Sequence, residues 1–331
     1  MRSCTIAVLV AACSHAPGAS DVPADAADGG KLDGSSGSAQ PPSSSCLSRW
    51  QDGSIASALG APTLLGGVNT INGERYPVLS PDELTLYFDR ADAHDAANHN
   101  YVATRAAVTD PFDAPVLFAA AETGTGTNPY KVSISTDGTT LAVSRFDGVA
   151  TSIWTASSTG AGTWTPISRM YTMAIDSEDG GTFDFPLDVQ LGSDGLSLVF
   201  TGIAGSNAPV LQYATRANVT SDFATEAIPG LASPPAGSAY FNPWLAPDQA
   251  LIAFVLGPRF LMANSLDVVY AVRDGSNFGS AIALSSIDEP TSDDADPWIS
   301  PDYCRVYFSS DRTGGASQGS YDLYVAAATP E

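Results

Sequence analysis

The chain has 331 residues, of which 36 are acidic and 14 are basic, so its formal net charge at pH 7 is −22. Only 15% of the residues are charged, and the imbalance comes from a scarcity of Lys and Arg. Because phosphate groups are bound by clustered basic side chains, this composition excludes nucleic acid as a partner and disfavours anionic lipid headgroups. Cations, basic peptides and neutral glycans stay open as ligand classes.

The first twelve residues have the features of a secretion signal. Arg2 supplies a positive charge, residues 5–12 form a short apolar run, and Val10-Ala11-Ala12 precedes Cys13. The run is too short to cross a bilayer as a helix. Small residues directly before a cysteine resemble the lipobox of bacterial lipoproteins, which implies cleavage after residue 12 and lipid on Cys13. An ordinary signal peptide or a chance apolar stretch is the alternative.

Residues 13–45 are predicted to be a flexible tether. They are mostly Gly, Ser, Ala, Asp and Pro, which cannot bury enough apolar surface to offset chain entropy. We therefore expect attachment to a membrane through the lipid anchor only. Ser14 stands where Asp is the familiar inner-membrane retention signal, a pattern that resembles outer-membrane sorting. The expected location is the bacterial cell envelope, at the outer membrane.

Residues 46–331 repeat with a nearly constant period. A turn aspartate recurs at steps of 55, 57, 54 and 54 residues, at Asp82, Asp137, Asp194, Asp248 and Asp302. A short apolar stretch precedes each turn and another follows it, as in LSPDELTLYF. Pro suits the second turn position and Asp can bond its own backbone. A period of this length with β-like runs predicts a repeat fold.

Each repeat contains four β-like runs. The third run follows the turn by about twenty residues, as in VATR at 102–105, and the fourth begins with an aromatic, as in FDAPVLF from Phe112 and WTPIS from Trp164. The fifth repeat stops before its fourth run. The segment LGAPTLL at 59–65 matches FDAPVLF in register, so we expect an N-terminal strand to complete the last repeat.

Five repeats and one displaced strand predict an all-β fold, a five-bladed β-propeller with four-stranded blades. The N-terminal strand would close the last blade and leave no unpaired sheet edge at the seam. An open solenoid is the alternative, but it would not need a strand supplied out of order. We expect a monomer.

The repeat motif also resembles a known family. The Ser-Pro-Asp turn followed by an apolar strand, in SPDELTLYFDR and again in ISPDYCRVYFSSDRTGG, resembles the repeats of TolB-like, WD-type β-propellers. Thr or Ser replaces the Pro in the second and third repeats. The resemblance implies an exported or periplasmic binding platform, and it is more specific for the fold than for the function.

Cys46 and Cys304 would be the two cysteines left in the mature domain, because Cys4 leaves with the signal and Cys13 carries lipid. In an oxidising compartment such a pair predicts a disulfide. The bond would pin the closing strand to the last blade. Two independent buried thiols are the alternative.

Five positions, each six residues before a turn aspartate, are the candidate ligand-binding residues. The first strand of each propeller blade lines the central channel, so these side chains are expected to surround one of its mouths. The scaffold positions barely vary in type between repeats, whereas these five differ. We call them the ring residues: Tyr76, Lys131, Asp188, Asn242 and Asp296. A solvated channel rim with ordinary polar residues is the alternative.

Two acidic segments, residues 176–179 and 288–296, lead into the ring residues. Clustered carboxylates suit calcium, but neither segment has EF-hand spacing. His15, His94 and His99 lack a third nearby ligand for zinc. The sequence therefore predicts no metal site and no cofactor, with calcium as the alternative.

Together these features predict a non-catalytic envelope lipoprotein whose propeller binds an envelope protein, a peptide or a glycan at the channel mouth. The alternative is a glycoside hydrolase-like enzyme, since some glycoside hydrolases are five-bladed propellers with carboxylates around the channel. Asp188 and Asp296 would then supply the two carboxyl groups. Tyr76 stands where that group would have an acid, so no catalytic residue is assigned.

Overall fold

The computed structural model describes residues 45–91, 98–122, 129–146, 151–160, 163–166, 168–173, 187–202, 209–219, 221, 223–258, 266–315 and 320–329. These segments form five antiparallel sheets arranged as the blades of a propeller, which confirms the predicted all-β fold. No helix within them is long and apolar enough to span a membrane.

The chain begins with two short helices and the strand that closes the ring: α1 (Leu47–Gln51), α2 (Ile55–Ala58) and β1 (Thr63–Leu64). Blade 1 then contains β2 (Glu74–Leu79), β3 (Thr85–Ala91), β4 (Asn98–Thr104) and β5 (Val116–Leu117). After α3 (Ala119–Glu122), blade 2 contains β6 (Pro129–Ile134), β7 (Thr140–Phe146), β8 (Thr151–Gly160), β9 (Thr163–Trp164) and β10 (Ser168–Met173).

Blade 3 contains β11 (Leu187–Leu191), β12 (Ser197–Gly202), β13 (Val210–Thr215) and β14 (Ala224–Ala227). Blade 4 contains β15 (Ser238–Leu245), β16 (Leu251–Pro258), β17 (Asp267–Asp274), β18 (Asn277–Phe278) and β19 (Ile282–Ala283). Blade 5 contains β20 (Asp294–Ile299), β21 (Arg305–Ser310) and β22 (Asp322–Ala327). The first strands contact one another in the closed order β2, β6, β11, β15, β20 and back to β2, so they surround the channel.

The closing strand lies where the repeat alignment places it. β1 pairs antiparallel with β22, with Thr63 opposite Val325 and Leu64 opposite Tyr324. It is the outermost strand of blade 5, in the order β1-β22-β21-β20. The N-terminal strand therefore completes the last blade, and the sheet edge at the seam is paired.

A disulfide joins Cys46 to Cys304, with 5.1 Å between their Cα atoms. Next to it, the indole N–H of the buried Trp50 in α1 donates a hydrogen bond to the carbonyl of Tyr303 at 2.8 Å. The Trp50 ring packs edge-on against Tyr270 of blade 4. The segment before the closing strand is thus anchored on blades 4 and 5.

The turn aspartates serve the scaffold. In every blade the aspartate side chain accepts a hydrogen bond from the backbone N–H two residues further on. The N–H of Leu84 donates to Asp82 at 3.1 Å, for example, and that of Cys304 donates to Asp302 at 3.0 Å. The residue after each aspartate has a left-handed backbone: Glu83, Gly138, Gly195, Gln249 and Tyr303. This local hydrogen bonding explains why the aspartate recurs in all five repeats.

An arginine supports three of these turns, and the repeat alignment did not reveal its role. At the end of the third strand of blade 1, Arg105 donates to the carbonyl of Glu83 at 2.8 Å, and its guanidinium lies 4.4 Å from the ring of Phe112. Arg216 and Arg273 stack on the equivalent phenylalanines of blades 3 and 4. The sequence signal is the Arg that ends VATR, YATR and YAVR, followed by a Phe.

Candidate functional site

The ring residues lie at β-bulges in the first strands. In blade 1 the register shifts between Arg75 and Val78, and each of the other first strands has a bulge at the equivalent place. Four of the ring residues have a left-handed backbone, with φ of 56° at Tyr76, 57° at Asp188, 50° at Asn242 and 57° at Asp296. Asp and Asn tolerate this region, but a bulky residue such as Tyr adopts it rarely. Bulges re-aim side chains, and strain of this kind clusters at functional sites.

Asp296 is the centre of the cluster and is 1% exposed. The Arg75 guanidinium donates to both of its carboxylate oxygens, at 2.9 Å from Nε and 3.3 Å from Nη2. The side chains of Asn242 and Ser309 also donate to it, and the backbone N–H of Tyr76 lies 3.4 Å away. Five donors therefore occupy this one carboxylate, which holds blades 1, 4 and 5 together.

Asp188 is a second buried carboxylate of the cluster and is 5% exposed. The backbone N–H of Asn242 donates to the Thr201 hydroxyl at 3.1 Å, and that hydroxyl donates to Asp188 at 3.4 Å. Burial raises the pKa of the Asp188 carboxyl to about 6, and the nearby Asp296 adds to the increase. A buried carboxyl that titrates near neutral pH is characteristic of functional sites.

Lys131 crosses the channel. It belongs to blade 2, yet its Nζ donates to the carbonyl of Pro243 in blade 4 at 3.2 Å. The side chain is 3% exposed, and burial lowers the pKa of its amino group, against the opposing effect of Asp188 and Asp296. The structure therefore brings the five ring residues together, and it buries four of them.

Arg75 and Tyr76 are the members that solvent reaches. The side chain of Arg75 is 29% exposed, and Tyr76 is half-buried. The guanidinium lies 4.9 Å from the ring centroid of Tyr76 and 4.2 Å from that of Tyr321. The repeat alignment did not select Arg75 or Tyr321, although Arg75 is the residue directly before a ring position.

Asp89 is a further acidic group that the sequence did not indicate, because it lies on the second strand of blade 1. It is opposite Arg75 in the pairing of β2 with β3 and is 2% exposed. Burial raises the pKa of its carboxyl well above the usual range, against the opposing charge of Arg75. Among the described residues its Oδ2 has no hydrogen-bond partner, so the cluster has an unused polar atom in its interior.

The raised pKa of Asp188 predicts a pH-dependent stability. The folded chain holds the Asp188 proton up to about pH 6, whereas the unfolded chain releases it near 3.8. Stability attributable to this group is therefore lost as the pH rises between these values, and the ionised carboxylate costs up to about 3 kcal/mol at pH 8. At pH 8 the free energy of unfolding of Asp188→Asn should be about 1–3 kcal/mol higher than that of the parent chain. At pH 4 the two free energies should be equal.

Urea unfolding at the two pH values measures this difference, and Asp274→Asn, a change at an exposed carboxyl, is the control. An Asp188→Asn effect of the same size at pH 4 and pH 8 would show that Asp188 does not titrate in this range.

The other candidate groups are engaged or lie outside the described residues. Residues 176–179, His15, His94 and Cys13 belong to the undescribed part of the chain. In the second acidic segment, Asp293 accepts a hydrogen bond from Tyr321 at 2.9 Å, and Asp294 pairs with Arg312 at 2.6 Å. Within the described residues, no group of three or more His, Cys, Asp or Glu side chains is placed to hold a metal ion.

No protein-family model and no curated protein sequence matches this chain. A thermostable family-43 glycoside hydrolase is similar in structure, with 14% identity over 81% of this chain and 92% of that one, and a TM-score of 0.52. The family-117 glycoside hydrolase Zg3597 of Zobellia galactanivorans is also similar, with 12% identity over 80% of this chain and 89% of that one, and a TM-score of 0.50. TolB from Acinetobacter baumannii matches with 15% identity over 78% of this chain and 55% of that one, and a TM-score of 0.45. The chain therefore spans about half the length of that protein. At these identities the similarity shows the propeller fold alone.

Proposed function

We propose that the protein is a non-catalytic binding protein whose propeller recognises a protein, a peptide or a glycan at the channel mouth where the first strands begin. The observation that carries the proposal is the convergence of the five ring residues, one from each blade, on one polar cluster in which four of them have a left-handed backbone. Strained backbone and buried charges both cost stability. The aspartate turns keep the same residue in all five blades, so the fold itself does not require equivalent positions to differ between blades.

The accessible part of the cluster suits recognition. Arg75 lies against the aromatic rings of Tyr76 and Tyr321, and arginine and tyrosine dominate the energetics of many binding surfaces. The guanidinium offers donors to carbonyl, carboxylate or hydroxyl oxygens, and the rings offer apolar faces. In this proposal Arg75 and Tyr76 contact the ligand, while Asp296, Asn242 and the other buried members hold them in position.

A glycoside hydrolase-like enzyme is the second candidate, and the pKa of Asp188 near 6 is the observation that favours it. Glycoside hydrolysis needs a second carboxylate that is free to act as base or nucleophile. Asp296 is the nearest counterpart, but five donors already occupy its two oxygens. For this reason we assign no catalytic residue.

In this proposal the protein is a monomer in the bacterial cell envelope, with lipid on Cys13 and residues 13–45 as the tether to the outer membrane. The disulfide between Cys46 and Cys304 fits an oxidising compartment. Neither nucleic acid nor a cofactor takes part.

A thermal-shift panel tests the function. The full chain is screened against neutral glycans, cationic peptides, calcium and EDTA, since a ligand of the folded state raises the melting temperature by mass action. We expect a glycan or peptide to raise it, with no turnover of p-nitrophenyl glycosides by the same sample. Glycoside turnover that Asp188→Asn abolishes would contradict the non-catalytic role and establish the second candidate.

A further inference from the structure

A second opening lies at the other end of the channel, where the first strands run into the aspartate turns. It is a cavity of about 380 Å³, lined on each first strand by residues two or three positions beyond the ring residues. All five blades contribute to its walls, and it extends between blades 1 and 2. Its apolar walls include Val78, Phe118, Ile134, Trp164, Trp244 and Trp298.

The size of this cavity distinguishes it from a packing defect. Protein interiors contain few voids larger than a water molecule, whereas ligand pockets have volumes of about 300–1,000 Å³. Its lining also reaches the surface, because Tyr87, Val102 and Trp164 are half-buried and Thr136 is exposed. The cavity is therefore open to a molecule from solution.

The lining is uncharged. Among the described residues that line the cavity, none is Asp, Glu, Lys, Arg or His, although the chain contains 36 acidic residues. Burying an unpaired charge in such surroundings costs far more than burying an unpaired neutral polar group, for which the cost is roughly 2–7 kcal/mol. Anions and cations are thus excluded, and the lining differs sharply from the charged ring cluster on the same strands.

Several polar groups of the lining are already hydrogen-bonded within the protein. The Gln190 side chain accepts from the backbone N–H of Leu245 at 2.6 Å and donates to its carbonyl at 3.2 Å. The Ser135 hydroxyl donates to Asp137 at 2.6 Å and accepts from Thr140 at 2.9 Å. A ligand would therefore contact apolar and aromatic walls, and these polar groups would need no hydrogen bond from it.

We propose that this cavity is a second binding site, for a small, uncharged and largely apolar molecule with an aromatic ring. Aromatic walls favour a ring that packs edge-on or offset against them, and the absence of charge sets the ligand class. The site is distinct from the ring cluster in position and in chemistry, so it does not depend on the function proposed above.

A matched pair of dyes tests the proposal. N-phenyl-1-naphthylamine is neutral, and 8-anilino-1-naphthalenesulfonate carries a negative charge on a similar ring system. The chain with Cys13→Ser is titrated with each dye, so that no lipid or detergent contributes fluorescence. We expect saturable binding of the neutral dye and at least about tenfold weaker binding of the anionic dye. Equal binding of the two dyes, or no saturable binding of the neutral one, would overturn the proposal.

Two variants locate the bound dye. Thr136→Trp places a large side chain in the exposed part of the lining and should weaken binding of the neutral dye by about tenfold or more. Ser193→Trp makes the same change at the equivalent turn position of blade 3, outside the cavity, and should leave the affinity unchanged. Thermal melts confirm that both variants fold, and Ile134→Trp replaces Thr136→Trp if that chain does not. Equal affinities of the cavity variant and the Ser193→Trp control would place the dye elsewhere and contradict the site.

Discussion

Asp296→Ala should lower the free energy of unfolding by about 3–5 kcal/mol, because each buried donor left without an acceptor costs about 1–3 kcal/mol. Arg75 would lose its counter-ion, and the side chains of Asn242 and Ser309 would lose their acceptor. These groups come from three blades, so the ring as a whole should be affected. Urea unfolding followed by circular dichroism measures the change.

Two further variants make the Asp296 experiment decisive. Asp296→Asn keeps an acceptor of similar size without the charge, and it should be less destabilised than Asp296→Ala. Asp274→Ala removes an exposed carboxylate and controls for the change in net charge. If Asp296→Ala were as stable as the parent chain and only ligand binding were lost, Asp296 would be a ligand contact and not the structural centre of the cluster.

Loss of the disulfide should have an effect of similar size. The bond joins residues separated by 258 positions, and the entropy that a crosslink removes from the unfolded chain grows with the length of the closed loop. The double variant Cys46→Ala with Cys304→Ala is expected to be about 2–5 kcal/mol less stable than the oxidised parent chain. Thermal and urea unfolding under oxidising conditions measure this difference.

The reduced parent chain is the matched control for the disulfide, because it has the same cysteines without the bond. Its stability should fall close to that of the double variant. Equal stability of the oxidised parent, the reduced parent and the double variant would show that the crosslink does not stabilise the ring.

The architecture could be predicted because short-range chemistry repeats in the sequence. The turn aspartate bonds its own backbone, so five copies at a constant spacing reveal five units, and the segment at 59–65 reveals the missing strand. The outer edges of the blades were less predictable. WTPIS suggested a fourth strand from Trp164, whereas the structure has only the short β9 at Thr163–Trp164 and then β10 at Ser168–Met173. Outer strands pack on fewer neighbours, so their pattern specifies them less.

The positions of the ring residues followed from the spacing, but their environment did not. The bulges turn these side chains inward, and their partners come from other strands, as with Ser309 and Thr201. A repeat alignment compares equivalent positions and cannot pair unlike ones, so Arg75 and Asp89 went unnoticed. The apolar cavity could not be predicted for another reason. In the sequence, Trp244 and Trp298 fit core positions between blades as well as they fit the wall of a cavity.

The affinity of a ligand from the thermal-shift panel, measured by calorimetry on matched tyrosine variants, is the most direct test of binding at the ring cluster. Tyr76→Ala removes the accessible ring residue, and Tyr213→Ala removes a half-buried tyrosine on a third strand of blade 3, away from the channel. We expect a loss of about tenfold or more for Tyr76→Ala and none for Tyr213→Ala. Unchanged affinity in Tyr76→Ala would show that the ligand does not bind at the ring cluster.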